Sequence, residues 1–316
     1  MRLTNVRGFF GRLIIAIATG YIWFFYSERV FWSFWRRGED TFGSFFATWA
    51  VYAIAAYICL ILIQQYKARS VWAMFLVGAF FGWLVEGVFA MTLFGAEGIP
   101  FPFTISWTGL AWHAIISVVL GWYVLQQALT HSFKRTAWVS GMLGIFWGTW
   151  SIFWSLERAE VVPVDAYVLH AFAVTVILIC MQCMYGWLGM QQFSATRLEK
   201  ITVGLLAVLW FGFVTVPTFG ALAAVLPVLF GVLYLALPKN KKTETRQSFL
   251  ATLDAPITYM RSFAVLLMPL CATLIYALAQ GMQLAPPTNF LVLGVTLPAG
   301  FILLGVSLWK VFRAKK

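Results

Sequence analysis

One glutamate and one histidine stand out because each interrupts a long apolar run. Glu86 is the single acid in GWLVEGVFAM, residues 82–91, and His113 lies in FTISWTGLAWHAIISVVLGWY, residues 103–123. A carboxylate beside an imidazole orients the ring and selects its tautomer. The pair would therefore serve a general base, a proton relay or a metal site, and we expect the two residues to be partners.

Both residues are expected at similar depth in a membrane. At about 1.5 Å per helical residue, Glu86 lies about 12 Å and His113 about 13 Å from the predicted outer ends of their spans. A charge at the centre of a bilayer costs about 2.5–3.5 kcal/mol, so both side chains should face protein. Their neighbours at helical spacing are small, which predicts close helix packing. These neighbours are Gly78, Ala79, Gly82 and Ala90 for Glu86, and Ser106, Gly109, Ser117 and Gly121 for His113.

Three more titratable residues, His170, Glu28 and Glu157, are predicted near the outer surface. Glu28 and Glu157 have similar settings, WFFYSER and IFWSLER, and we expect all three residues to line the mouth of the site. An interfacial aromatic belt is the other explanation of these settings. A mixed set of these glutamates and histidines would suit zinc or iron. No two of them share a helix at the spacing of a specific metal motif, so the cofactor is left open.

The composition places these residues in a membrane protein. The 316 residues are 62% hydrophobic and 10% charged, with a mean hydropathy of +0.85. Soluble domains have about 45–50% apolar and about 25% charged residues. Apolar stretches of about 20 residues recur, and alternating strand patterns are missing. We predict an all-α polytopic protein of about ten transmembrane helices. The predicted spans are 12–27, 43–65, 71–94, 104–127, 137–156, 166–190, 201–216, 220–238, 263–280 and 289–309.

The distribution of charge predicts the orientation. The net charge is +11, but the basic residues lie in short loops between spans, which excludes nucleic acid as the partner. With the N-terminus inside, eighteen basic residues fall on the inner side and four on the outer side. The positive-inside rule then puts both termini in the cytoplasm. We expect a bacterial or archaeal cytoplasmic membrane, with lipid as the surrounding partner.

The chain divides into two parts by composition. Residues 1–200 form an aromatic-rich core that holds the predicted outer-half site, and residues 201–316 form a four-helix scaffold or partner-binding part with a basic cytoplasmic loop at 238–247. Fourteen of the sixteen tryptophans lie at or before Trp187. Glutamine pairs at 64–65, 126–127 and 191–192 each precede a short basic loop. They predict three repeated hairpins, although economical loop lengths give the same pattern.

One motif order resembles a known family. Glu86, then GLAWH ending at His113, then His170 is similar to intramembrane CAAX-type proteases, in which a Glu-Glu-xxx-Arg helix precedes two histidine helices. This chain has one glutamate, no arginine after it and different spacings. We therefore assign no membership. The number of spans is also similar to that of drug/metabolite transporters, but a count is not a motif.

Three functions follow as hypotheses. The first is an enzyme acting on a lipid or other amphiphile at the outer leaflet, with Glu86 as base or ligand and His113 as its acid–base partner. The second is a small-solute transporter, with Glu86 as a proton carrier in a site that opens to both sides. The third is a non-catalytic membrane subunit whose aromatic face binds a partner subunit.

Overall fold

A computed structural model describes residues 2–36, 39–96, 98–154, 161–188, 193–244, 246–253 and 255–313. Within these ranges the chain is helical, with one isolated bridge between Ala96 and Ile99. The all-α prediction is confirmed. The longer helices are α1 (Arg2–Phe24, continued by Phe25–Arg29 and Val30–Trp32), α2 (Phe42–Gln65), α3 (Val71–Leu84, continued by Val85–Phe89), α4 (Ile105–Val124, continued by Leu125–His131) and α5 (Phe133–Ile152). They are followed by α6 (Val164–Leu188), α7 (Arg197–Trp210, continued by Phe211–Thr215 and Val216–Phe219), α8 (Val225–Thr243), α9 (Tyr259–Ala264, continued by Leu267–Gly281) and α10 (Thr288–Arg313).

Side-chain caps fix where several helices begin. At the start of α2, the Thr41 hydroxyl oxygen accepts a hydrogen bond from the Ser44 backbone N–H, and the Ser44 hydroxyl oxygen accepts one from the Thr41 backbone N–H. At the starts of α3 and α5, the hydroxyl oxygens of Ser70 and Ser132 each accept a hydrogen bond from a backbone N–H three residues later. Such caps satisfy backbone N–H groups that have no partner in the first helical turn. Local sequence therefore sets these ends before any tertiary packing.

Eight apolar helical segments in the described part of the chain are long enough to cross a membrane. This makes the chain an integral multi-helix membrane protein. Three predicted spans differ from these segments. Helix α5 occupies the predicted fifth span but is not among the eight, and residues 197–242 form one segment of 46 residues where we predict two spans. The number of ten crossings therefore stays a prediction, as does the cytoplasmic position of the termini.

Helix α7 leads from one end of the bundle to the other. Near its start, Glu199 accepts a hydrogen bond of 2.6 Å from Arg12, which lies in the first half of α1. At its end, the ring of Phe219 lies 4.3 Å from the ring of Phe94, in the segment that follows α3. The helix thus runs parallel to α1 and α3.

The chain then turns back at Gly220. The backbone of Gly220 has a φ of +53°, which a residue with a side chain rarely adopts. Helix α8 returns along α3, and near its end Asn240 donates hydrogen bonds to the carbonyls of Tyr66 and Lys67, just before α3 begins. The 46-residue segment therefore contains two antiparallel helices, because its middle and its end contact opposite ends of α3.

Small residues bring α3 and α4 into close contact. A β-carbon on Gly82 would lie 2.2 Å from the carbonyl oxygen of Gly109, and one on Gly78 would lie 2.9 Å from Cα of Ala114. The two helices are antiparallel, since the contacts run in opposite directions along them. The expected packing of the small-residue stripes is present here, and it aligns Glu86 with α4.

Two predictions on the first 200 residues need comment. Helix α1 continues to Trp32, so Glu28 lies inside the helix rather than at its end. Gln191 and Gln192 lie outside the described residues, so the third glutamine pair of the expected repeat is not described, although α6 and α7 on either side of it are. The division into a core at 1–200 and a scaffold at 201–316 remains a prediction.

Candidate functional site

The central residues of the site lie on π-helical segments of three helices. These segments are Phe25–Arg29 in α1, Val85–Phe89 in α3 and Ile105–Val124 in α4. In the second, the Ala90 N–H donates to the carbonyl of Val85, five residues earlier, at 2.8 Å. A π-helical turn accommodates one extra residue, which rotates the following side chains relative to an α-helix, and such turns are frequent at functional sites. Here they direct side chains of all three helices toward one point.

Glu86 and His113 meet at that point. Oε1 of Glu86 lies 2.5 Å from Nε2 of His113, and the Thr92 hydroxyl donates to Oε2 of Glu86. Glu86 is 8% exposed and His113 is 3% exposed. The expected partnership between the two residues is therefore present in the geometry. Burial strengthens the interaction, because charges and dipoles act through a low local dielectric.

The hydrogen-bond chain continues beyond the imidazole. Nδ1 of His113 lies 2.8 Å from Oγ of Ser27 on α1, and Ser27 Oγ lies 2.8 Å from Oγ of Ser117 on α4. The Ser117 hydroxyl also donates to the carbonyl of Trp112 at 3.2 Å. A carboxylate, an imidazole and a serine hydroxyl are thus connected in series. This arrangement can move a proton between the hydroxyl and the ring while the carboxylate stabilises the charged ring.

Aromatic rings enclose the histidine. The ring centroid of Phe81 lies 5.3 Å from that of His113 at an interplanar angle of 88°, and the centroid of Tyr52 lies at 6.2 Å. Both aromatic side chains are buried. They hold the imidazole in one orientation and keep bulk water from two of its sides.

Glu28 lies beside the hydrogen-bond chain and is partly exposed. The Tyr52 hydroxyl donates to its Oε1 at 2.8 Å, and Trp32 Nε1–H donates to its Oε2 at 3.0 Å. Glu28 therefore comes close to the pair through Tyr52, which also contacts His113.

His170 belongs to a neighbouring cluster. Its Nε2 lies 3.5 Å from the backbone carbonyl of Arg29, and no described hydrogen bond joins it to Glu86 or His113. The buried Arg29 side chain lies 3.5 Å from a carboxylate oxygen of Asp40, and its guanidinium is 4.9 Å from the ring centroid of Phe24. His170 thus contacts the backbone of α1 one residue beyond Glu28.

Asp40 is the centre of that cluster, outside the membrane-spanning segments. Its Oδ2 accepts from the Arg36 N–H at 2.9 Å and its Oδ1 from the Arg36 guanidinium at 2.8 Å. Burial alone would raise the pKa of Asp40, but these hydrogen bonds and the charges of Arg36 and Arg29 outweigh burial and hold the pKa below its ordinary value of 3.8. The cluster ties the end of α1 to the start of α2.

The remaining site predictions lie outside this geometry. Glu157 is outside the described residues. Within the described ranges, no group of three or more His, Cys, Asp or Glu side chains could hold a metal ion. A surface groove of about 250 Å³ lies on α5 and contains none of the predicted site residues. Its lining consists of Ala137, Trp138, Gly141, Met142 and Ile145.

Sequence reasoning missed Ser27 and Thr92 as members of the site. Each supplies a hydroxyl to the pair, one to the imidazole and one to the carboxylate. A partial signal existed for Ser27, because it directly precedes Glu28 in an apolar helix. Thr92 gave no signal. It lies within the predicted span 71–94, whereas the helix ends at Phe89, and the turn that follows brings Thr92 back to Glu86.

Comparisons with known proteins add no assignment. No family model, curated protein or solved structure matches this chain. The motif order shared with CAAX-type proteases thus stays a resemblance, and the function has to be argued from the site itself.

Proposed function

We propose that this membrane protein is an enzyme acting on a lipid or another amphiphile at the predicted outer leaflet of a bacterial or archaeal cytoplasmic membrane. His113 serves as the general acid and base, and Glu86 orients it and stabilises its charged form. The observation that carries the proposal is the contact of 2.5 Å between Glu86 and His113 inside the membrane-spanning part of the chain. Ionisable residues in such positions are expensive and mark functional sites by default.

The surroundings of the pair support acid–base chemistry. One nitrogen of His113 faces the carboxylate, and the other faces a hydroxyl, that of Ser27. Every buried imidazole nitrogen needs a hydrogen-bond partner, and here that partner is a hydroxyl. A base that activates a hydroxyl requires one within this hydrogen-bond reach. Glu28 and Trp32 are partly exposed and joined by a hydrogen bond, and we expect an amphiphile to enter on this side, between aromatic faces.

The test is turnover of lipid by the purified full-length chain. Wild type is reconstituted into vesicles of phosphatidylethanolamine and phosphatidylglycerol, and the lipid products are followed by mass spectrometry, together with the lipids that co-purify. Glu86→Gln and His113→Ala should each lower the rate by about 10²-fold or more, the usual contribution of general acid–base catalysis. His131→Ala is the matched control, since His131 is exposed and lies outside the site. Full activity in both site variants would overturn the proposal.

Proton-coupled transport of a small solute is the second candidate, and one observation favours it. Gln126 and Gln182 are buried, and all four of their amide nitrogen and oxygen atoms lack a hydrogen-bond partner. Buried polar atoms of this kind are normally satisfied by ordered water. Both residues lie toward the predicted inner side, so water there would extend a polar path from the outer site.

A flux measurement separates the two candidates. The chain is reconstituted into the same vesicles with a pH-sensitive dye inside, and an acid pulse is applied outside. Proton entry that depends on Glu86 and on Gln126 would favour transport, and its absence alongside lipid turnover would favour the enzyme. Gln127→Leu, next to Gln126 and exposed, is the control for the inner position.

A further inference from the structure

We infer that Ser27 is a nucleophile and that the substrate is a carboxylic ester of an amphiphile. The inference rests on the proposed function, because it needs Glu86 and His113 as the acid–base pair. Ser27 Oγ lies 2.8 Å from His113 Nδ1, and His113 Nε2 lies 2.5 Å from Glu86 Oε1. Hydroxyl, imidazole and carboxylate follow one another as in a catalytic triad, with the two ring nitrogens exchanged relative to the serine-protease arrangement. A triad is recognised by geometry and roles and not by sequence position.

The hydrogen bonds around Glu86 set the direction of proton transfer. Thr92 donates to one carboxylate oxygen, and the other oxygen accepts from Nε2 of His113. A neutral imidazole carries one proton, so a proton on Nε2 leaves a lone pair on Nδ1. Ser27 then donates its hydroxyl proton to Nδ1. The ring is thereby ready to take that proton when Ser27 attacks.

Ser117 supplies a second hydroxyl next to the nucleophile. Its Oγ lies 2.8 Å from Ser27 Oγ. Because Ser27 donates its proton to Nδ1, the single O–H of Ser117 is shared between two acceptors, Ser27 Oγ and the more distant carbonyl of Trp112 at 3.2 Å. A weakly held O–H group can turn toward negative charge that develops beside Ser27. Hydrogen-bond donors directed at a developing oxyanion are among the largest contributions to acyl transfer.

Hydrolysis of the ester needs water as its only other reagent. Ser27 Oγ forms a bond to the ester carbonyl carbon while its proton passes to His113 Nδ1. The bond from that carbon to the alcohol oxygen then breaks, and the alcohol leaves with the proton from Nδ1. Water next attacks the acyl-serine, again giving a proton to Nδ1, and Ser27 recovers it as the carboxylic acid departs. The net change is ester plus water to acid plus alcohol.

The surroundings favour a neutral carbonyl over a phosphate. Phosphoryl groups are usually held by arginine or lysine. The nearest arginine in sequence, Arg29, is paired with Asp40 and lies against Phe24. Around Glu28, the residue after Ser27, the contacts are aromatic: Trp32 donates its Nε1–H to the Glu28 carboxylate. Trp32 stacks on Trp154 with ring centroids 5.2 Å apart.

Aromatic rings beside the hydrogen-bond chain also provide an apolar surface for the substrate. Phe31 contacts Trp112 edge to face at 4.7 Å, and Trp112 in turn lies on the same helix as His113. An apolar wall with a few convergent polar groups is the usual form of a site for an apolar ligand. The acyl or alkyl chain of the ester would lie along these rings, with its carbonyl carbon at Ser27.

The first measurement is covalent labelling. The purified full-length chain in detergent micelles is treated with a fluorophosphonate probe, and the labelled peptide is identified by mass spectrometry. We expect one label on Ser27, none in Ser27→Ala, and unchanged labelling in Ser140→Ala. Ser140 is a matched control because it is also buried, on α5, and its hydroxyl has no hydrogen-bond partner. A wild-type chain that takes no label at Ser27 would overturn the inference.

The second measurement is hydrolysis of p-nitrophenyl laurate in the same micelles. Ser27→Ala should lower the rate by about 10³-fold or more, as loss of a triad nucleophile does. Ser27→Cys tests whether a loss of activity comes from misfolding, because cysteine is close in size to serine. This variant should take no fluorophosphonate label and should instead take an iodoacetamide label at position 27.

The outcomes separate this inference from the proposed function. If Ser27→Ala keeps the hydrolysis rate while Glu86→Gln and His113→Ala lose it, Ser27 is not the nucleophile and the acid–base pair stands. If all three variants keep the rate, both proposals fall. Loss in all three, with Ser140→Ala active, supports both.

Discussion

Gly82 approaches Gly109 so closely that a β-carbon at Gly82 would lie 2.2 Å from the Gly109 carbonyl oxygen. This contact lies one helical turn before Glu86 and one turn before His113 along their own helices. Because neither glycine has a side chain, α3 and α4 can lie close together. This close spacing permits the hydrogen bond of 2.5 Å between Glu86 and His113. Small residues have this role in many membrane helix pairs.

Gly82→Val should consequently separate α3 from α4. Overpacking of this kind typically costs about 1–3 kcal/mol, so the thermal unfolding midpoint in detergent should fall. Turnover should fall with it, because Glu86 and His113 move apart. Gly141→Val is the control, since nothing lies within 4 Å of a β-carbon at that position in α5. Equal midpoints for the two variants would contradict this account.

Breaking the ion pair between Arg12 and Glu199 should destabilise the bundle. The Arg12 guanidinium donates to Glu199 at 2.6 Å and joins α1 to α7, and the side chains are only 11% and 12% exposed. Glu199→Ala removes the carboxylate partner of Arg12, and loss of a hydrogen bond between charged groups in this partly buried pair should cost about 1.5–3 kcal/mol. The free energy of unfolding can be measured by denaturant titration in detergent. The double variant Arg12→Met with Glu199→Leu should recover most of the loss, and a double variant as unstable as the single one would refute the explanation.

Asp40 should make part of the stability depend on pH. Its pKa in the folded chain is lower than the ordinary value of 3.8, so the unfolded chain binds a proton more readily. The stabilisation is therefore complete above the unfolded pKa and is lost as the pH falls through the folded pKa. Asp40→Asn should lower the unfolding midpoint near neutral pH, and the difference from wild type should shrink toward about pH 2. A difference that stays constant across that range would show that Asp40 does not act through its charge.

Thr92 should act as a positioning residue for Glu86. Its hydroxyl donates to the carboxylate, and a hydrogen bond to a charged group contributes about 1.5–3 kcal/mol. Thr92→Val should lower kcat by about 10-fold or more and leave KM nearly unchanged, because the substrate does not bind to Thr92. Thr92→Ser should restore the rate. Thr218→Val is the control, since Thr218 is exposed and its hydroxyl bonds only to the Val214 carbonyl. A rise in KM with normal kcat would instead indicate a contact with substrate.

How far the sequence predicts the site can be judged from single residues. Glu86 and His113 were identified because ionisable residues are rare in apolar runs, and their pairing followed from antiparallel helices joined by a short loop. Ser27 could not be found in the same way. Serine is common in membrane helices. The role of Ser27 depends on the packing of α1 against α4, which brings Ser27 to His113, 86 residues later in the sequence. His170 shows the opposite case, since its residue type suggests the site but its described contact is with the Arg29 backbone.

The sequence by itself determined that this chain is a helical membrane protein and where several of its helices start, because apolar length and capping side chains act locally. It also determined that Glu86 must find a partner, since an unpaired carboxylate among apolar residues is too costly. Only the tertiary structure decided which hydroxyls complete the site, that residues 197–242 turn back at Gly220, and that Glu28 stands beside the hydrogen-bond chain while His170 stands apart. These features depend on how each helix is rotated about its axis and on which helices pack against it. The π-helical segments in α1, α3 and α4 set that rotation through their backbone hydrogen bonds, and no residue type specifies those bonds.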